Sequence, residues 1–138
     1  MQNLPRLPIP ALVLPALAAA FAVSACATTR EQAPLPDGRD VAFGQRAYVD
    51  GPIVQPVKLL EDSRCPMNAR CVWAGRVRLQ MVWIRGNGEK QPFEVTLGKP
   101  THLADGTITL ESVRPAKRTG GAIRSEDYRF SFRFMGGL

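Results

Sequence analysis

The stretch "EDYRFSFRF", residues 126 to 134, constrains the fold more than any other. Tyr128, Phe130, Phe132 and Phe134 alternate there with Arg129, Ser131 and Arg133, and successive side chains of a strand point to opposite faces. One face is therefore wholly aromatic. Such a face has to be covered by a second sheet, so the chain is predicted to form an all-β domain, a small antiparallel sandwich or barrel-like unit of roughly six to seven strands.

Other segments repeat the period of two. In "GRVRLQMVWIRG", Val77, Leu79, Met81 and Trp83 fall on one face, and Arg76, Arg78 and Gln80 on the other. Val82 and Ile84 turn the second face apolar at its far end. "FEVTL" (Phe93, Val95, Leu97) and "TITLESV" follow, the latter with Ile108, Leu110 and, after a change of register, Val113. "GNG" at 86 to 88 suits a hairpin, and Asp105 with Gly106 marks a second turn, since these residue types tolerate positive φ. "VAFGQRAYV" and "IVQPVKLL" are weaker strands, the second with Pro56 at an edge or bulge.

The amino-terminal end sets the address. A short positive region with Arg6, an apolar stretch from Ile9 to Val23 and small residues after it read as an export signal over 1–25. "VSAC", Val23 to Cys26, resembles the lipobox of bacterial lipoproteins, which implies acylation of Cys26 after signal removal. Pro10 and Pro15 weaken the alternative of a spanning helix. Ordinary cleavage after Ala27 would instead leave a soluble secreted domain. Ala27 stands where an aspartate would imply inner-membrane retention, so in a Gram-negative cell the expected location is the periplasmic face of the outer membrane. Residues 26–39 read as a tether reaching on the order of 20 Å, and 40–138 as the domain.

Export changes what charge and cysteines mean. The net charge of +6 falls only to +5 on signal removal, because Arg6 is the one charged side chain lost. Basicity of this kind points to nucleic acid inside a cell; outside the cytoplasm a solvated basic face without a partner is the ordinary reading, and an envelope protein or an anionic envelope surface the better candidate partner. Three cysteines less one lipid site leave Cys65 and Cys71, which an oxidising compartment joins. Closing so short a loop contributes roughly 2 kcal/mol in the chain-entropy model. A redox pair would need the Cys-x-x-Cys arrangement. A copper site would need ligands beyond the two thiolates, and the chain offers His102, Met67, Met81 and Met135.

Around the pair, Asp62 and Ser63 are expected to fix a turn, Pro66 to stiffen the loop, and Gly75 to permit a bulge or a close backbone approach. Trp73 is expected to pack over the crosslink or into the core, with exposed recognition as the alternative. Residues 115 to 127 form a long basic loop. The candidate binding residues on these two loops are Arg64, Arg70, Trp73, Arg114, Lys117, Arg118 and Arg124. A solvated loop is the ordinary reading of such a basic run and a binding loop the alternative.

"DSRCPMNARCVWAG", residues 62 to 75, resembles a signature of small bacterial secreted proteins and lipoproteins: Asp-Ser-Arg-Cys-Pro, four variable residues, then Cys-(Val/Ile)-Trp-(Ala/Glu)-Gly. The resemblance implies an exported β-rich domain with a bonded cysteine pair and brings no activity with it. A catalytic set is not evident, with His102 the sole histidine and no Gly-x-Ser-x-Gly element. Glu61 with Asp62, and Glu126 with Asp127, read as solvated charges and turn formers. The chain is therefore read as a non-enzymatic envelope protein without cofactor or metal and without a nucleic-acid partner. Its role is binding or structural; inhibition of a protease or cell-wall hydrolase is the alternative and copper handling a third reading.

Overall fold

The computed structural model describes residues 35–137, so the signal segment, Cys26 and the tether as far as residue 34 lie outside the described residues. Alternation becomes strands wherever it was clear. β1 (Ala47–Tyr48), β2 (Ile53–Asp62), β3 (Val77–Ile84) and β4 (Lys90–Thr96) form one antiparallel sheet in that order. β5 (Thr101–Leu103), β6 (Gly106–Arg114) and β7 (Arg129–Gly136) form a second. The domain is thus all-β, with seven strands in two sheets, as the aromatic face requires.

Both sheets turn their apolar faces to one core. Val54, Leu79, Met81 and Val95 of the first sheet are fully or almost fully buried with Ile108, Leu110 and Phe130 of the second. Phe130 is the largest of them and takes an edge-on contact from Phe43, ring centres 4.8 Å apart. Tyr128, Phe132 and Phe134 are buried beside it. At Leu97 the chain leaves the first sheet for the second: its N–H donates to Val77 O at 2.9 Å while Gly98 N–H donates to Leu110 O, also at 2.9 Å. The free side of β7 is covered by residues 38–41, with Val41 and Phe130 exchanging backbone bonds and Phe132 N–H donating to Gly38 O.

Two of the long strands are irregular. β6 changes register against β7 between Leu110 and Ser112, which returns Val113 to the core side, as the sequence led us to expect. β2 shifts against β3 at Pro56/Lys58 and again at Leu59/Glu61, so Pro56 does sit at a bulge. The "GNG" hairpin forms, with Gly88 at φ 83°. The second turn differs from expectation. Positive φ falls on Ala104 (53°), and Gly106 is needed for closeness instead: a Cβ there would lie 2.1 Å from Met135 O. His102 lies exposed on β5.

Phe130 is the largest fully buried side chain of the core, so Phe130→Ala is expected to cost about 3–5 kcal/mol. Met135→Ala, on the exposed side of the same strand, should change stability by less than about 0.5 kcal/mol. Urea midpoints at unchanged slope test both.

Candidate functional site

The segment between β2 and β3 leaves the sheet through a narrow neck. Ser63 N–H donates to Arg76 O at 2.9 Å, Arg76 N–H donates back to Ser63 Oγ at 3.0 Å, and Arg76 Nε meets Glu61 Oε2 at 2.7 Å. Gly75 makes this closure feasible. A Cβ at that position would lie 1.8 Å from Ser63 O, an impossible contact, so the expected close backbone approach is found. Beyond the neck the Cys65–Cys71 disulfide closes the loop on itself, Cα atoms 5.9 Å apart.

The disulfide alone would leave this loop free to swing about its neck. Asp62, the last residue of β2, prevents that. Its carboxylate is 5% exposed and accepts from Arg64 Nε at 2.9 Å, Arg64 Nη2 at 2.8 Å and Tyr128 Oη at 2.8 Å. Arg64 Nη1 also donates to Val113 O at 2.8 Å, and Lys117 Nζ donates to the backbone carbonyl of Asp62 at 2.8 Å. The end of β2, the end of β6, the residue before β7 and the basic loop are thereby joined through Asp62 and Arg64. A two-pronged, charge-assisted pair of this kind fixes orientation as well as energy. Asp62 fixes the turn as expected, accepting from Arg64 N–H at 3.3 Å, but its side chain is withdrawn from water and is not the solvated charge expected of the Glu61–Asp62 pair.

Burial alone would raise the Asp62 pKa. The hydrogen bonds from Arg64 and Tyr128 and the Arg64 charge outweigh it, holding the carboxyl below its ordinary value. Arg64 is raised, chiefly by its bond to Asp62. Tyr128 is pushed up to about 12, first by burial and then by donating to an anion.

The two candidate loops meet a second time. Met67 N–H donates to Lys117 O at 2.9 Å. Asn68 Nδ2 donates to Thr119 Oγ1 at 2.5 Å, and Thr119 N–H donates to Asn68 Oδ1 at 2.9 Å. Ile123 packs against the core from within the basic loop, and a single 3-10 turn at Ser125–Asp127 leads toward β7. The basic loop is therefore tied at both halves.

The predicted site residues separate into two groups. Arg64 and Lys117 belong to the brace and are not presented to solvent partners. Arg114 pairs with Asp40, and Arg124 with Glu126. Arg70 and Arg118 are exposed and make no ion pair among the described residues. Trp73 does not pack on the crosslink or core: it is 68% exposed, beside Val72 at 91%, with Met67 at 68% on the same loop. The physical reason is the neck, beyond which residues 67–74 are all exposed. Tyr128 was legible as a core aromatic, but nothing adjacent in sequence marks its hydroxyl as a ligand for Asp62.

A groove of about 530 Å³ runs past Arg39, Asp40, Glu111, Arg114 and Arg133. Its cations are matched internally, Arg114 by Asp40 and Arg133 by Glu111. Among the described residues no group of three or more His, Cys, Asp or Glu side chains is placed to hold a metal ion. Neither a family model, a curated protein nor a solved structure matches the chain.

Linkage gives the brace a two-sided pH dependence. The lowered Asp62 pKa contributes stability above the ordinary carboxylate range, about pH 4, and that contribution disappears as pH falls below it. The raised Tyr128 pKa contributes below about pH 10 and is lost as pH rises through about 12. In a Tyr48→Phe background, phenolate absorbance should show Tyr128 half-ionised near pH 12 in the folded chain and near 10 when unfolded. Tyr128→Phe should abolish the alkaline loss of stability.

Proposed function

We propose that this is a non-enzymatic, lipid-anchored protein of the cell envelope whose β domain serves to hold a rigid loop pair against a binding partner. The observation that supports it is the contrast within one loop. Val72 and Trp73 stay exposed, although the segment carrying them is restrained by a disulfide, a glycine neck and a buried ion pair. Ordering a loop before it meets its partner reduces the entropic cost of binding. The crosslink stabilises the domain with or without a partner, but adjacent exposed valine and tryptophan on a restrained loop form an apolar patch of the kind that marks an interaction site.

The lipobox resemblance supplies the anchor at Cys26, and the positive balance of the domain suits an envelope rich in anions. Inhibition of a protease or cell-wall hydrolase is the second reading, favoured by the bonds from Met67 and Asn68 to residues 117 and 119. They stiffen a projecting loop of a kind that could enter a cleft. Copper handling would require the Cys65–Cys71 bond to be reduced first, because a disulfide offers no thiolate.

A photo-crosslinking side chain at position 72 or 118, introduced in the producing cell, is expected to give a discrete adduct with protein or lipid. The same group at exposed Gln91 on β4 should give none. Absence of adducts at both loop positions would contradict the binding role. Intact mass of the isolated chain tests the anchor, which requires acyl groups on Cys26.

A further inference from the structure

We propose that the exposed side of the cysteine loop contacts the headgroup region of an anionic lipid bilayer, with Val72 and Trp73 entering it and Arg70 and Arg118 binding the headgroups around them. This rests on the reading of the loop pair as the binding surface and names its partner.

Size argues for a bilayer over a protein. A stable protein interface takes about 800 Å² from each side, and three exposed apolar side chains on a projecting loop offer much less. Interfacial insertion has no such requirement. An indole with an apolar body and one N–H settles at headgroup depth, where its polar end stays hydrated.

Charge argues for an anionic one. Arg64, Arg76, Arg114 and Arg124 are each matched by a carboxylate. Arg70 and Arg118 are not, among the described residues, and the reciprocal Asn68–Thr119 bonds bring their segments together. Unmatched positive charge thus lies on the same loop pair as the exposed apolar side chains. Anionic headgroups complement the first and the interfacial region accepts the second. Because the Asp62 brace already restrains the loop, contact adds little ordering cost.

Each cation close to such a surface is worth about a five-fold change in the contact equilibrium, so Arg70→Gln and Arg118→Gln should each lower it by that factor. Trp73→Ala should lower it about ten-fold. These side chains are exposed and lie outside the brace, so the variants should keep the urea midpoint of the parent.

The test uses the full chain as isolated, mixed with vesicles of phosphatidylcholine alone or doped with phosphatidylglycerol, with brominated acyl chains as the quencher. An acyl anchor would hold the protein on either vesicle, so the loop is read by its own emission, and Trp73→Phe separates that signal from Trp83. Trp73 emission is expected to move to the blue and to be quenched by brominated chains on anionic vesicles. The effect should weaken in salt and in both arginine variants. Equal behaviour on neutral vesicles, or full access of aqueous acrylamide to Trp73 on anionic ones, would overturn the inference. If it fails while a crosslinker at 72 still captures a protein, the binding surface stands and only the membrane assignment falls. Failure of both removes the surface as well.

Discussion

A carboxylate withdrawn from water has to be met by donors on nearly every side, and in this domain that requirement organises the end of the sandwich that carries the cysteine loop and the basic loop. Asp62 obtains its donors from Arg64 and Tyr128, and Arg64 is in turn held by Val113 O. Each partner sits at the end of a different element. Satisfying one anion therefore ties the end of β2 in one sheet to the end of β6 and the entry to β7, already paired with each other in the second. An ion pair of this kind is not an efficient source of stability compared with apolar packing. What it supplies here is a defined orientation for a segment that has little core of its own.

The covalent and polar restraints divide the task. The Cys65–Cys71 bond closes a loop whose ends are only six residues apart, and it acts within the loop. Gly75 allows the two arms to meet at the neck. Neither determines the direction in which the loop leaves the sandwich. That direction comes from Asp62 with Arg64, and from the second set of bonds through Met67, Asn68, Lys117 and Thr119. A small sandwich thus carries two restrained loops whose exposed surface combines tryptophan, valine and arginines without an ion pair among the described residues.

The sheets were largely legible in the sequence because burial of one face imposes a period of two, and a period survives without knowledge of partners. The four aromatics of β7 and the register change that returns Val113 to the core could be read this way, as could Pro56 at a bulge. Gly75 was legible for a related reason: a glycine at the mouth of a crosslinked loop implies a close approach. The loops followed no period. Whether Asp62 is solvated depends on Tyr128, 66 residues away, and its immediate neighbour Glu61 gives the opposite impression. Trp73 was expected inside because tryptophan usually is; its exposure follows from the projection of the neck, which only the assembled brace determines. Asp105–Gly106 marked a real turn, but the left-handed residue proved to be Ala104, since close packing against β7 had already claimed the glycine.

The central claim is that the Asp62 carboxylate, and not the disulfide, orients the cysteine loop, and that the basic loop follows through its bonds to Met67 and Asn68. Amide hydrogen exchange of Asp62→Asn, with the Cys65–Cys71 bond intact, tests it most directly. The account predicts that protection falls together in residues 64–70 and 117–119 while the amides of β3 and β6 keep theirs. Unchanged protection in the cysteine loop of this variant would contradict it.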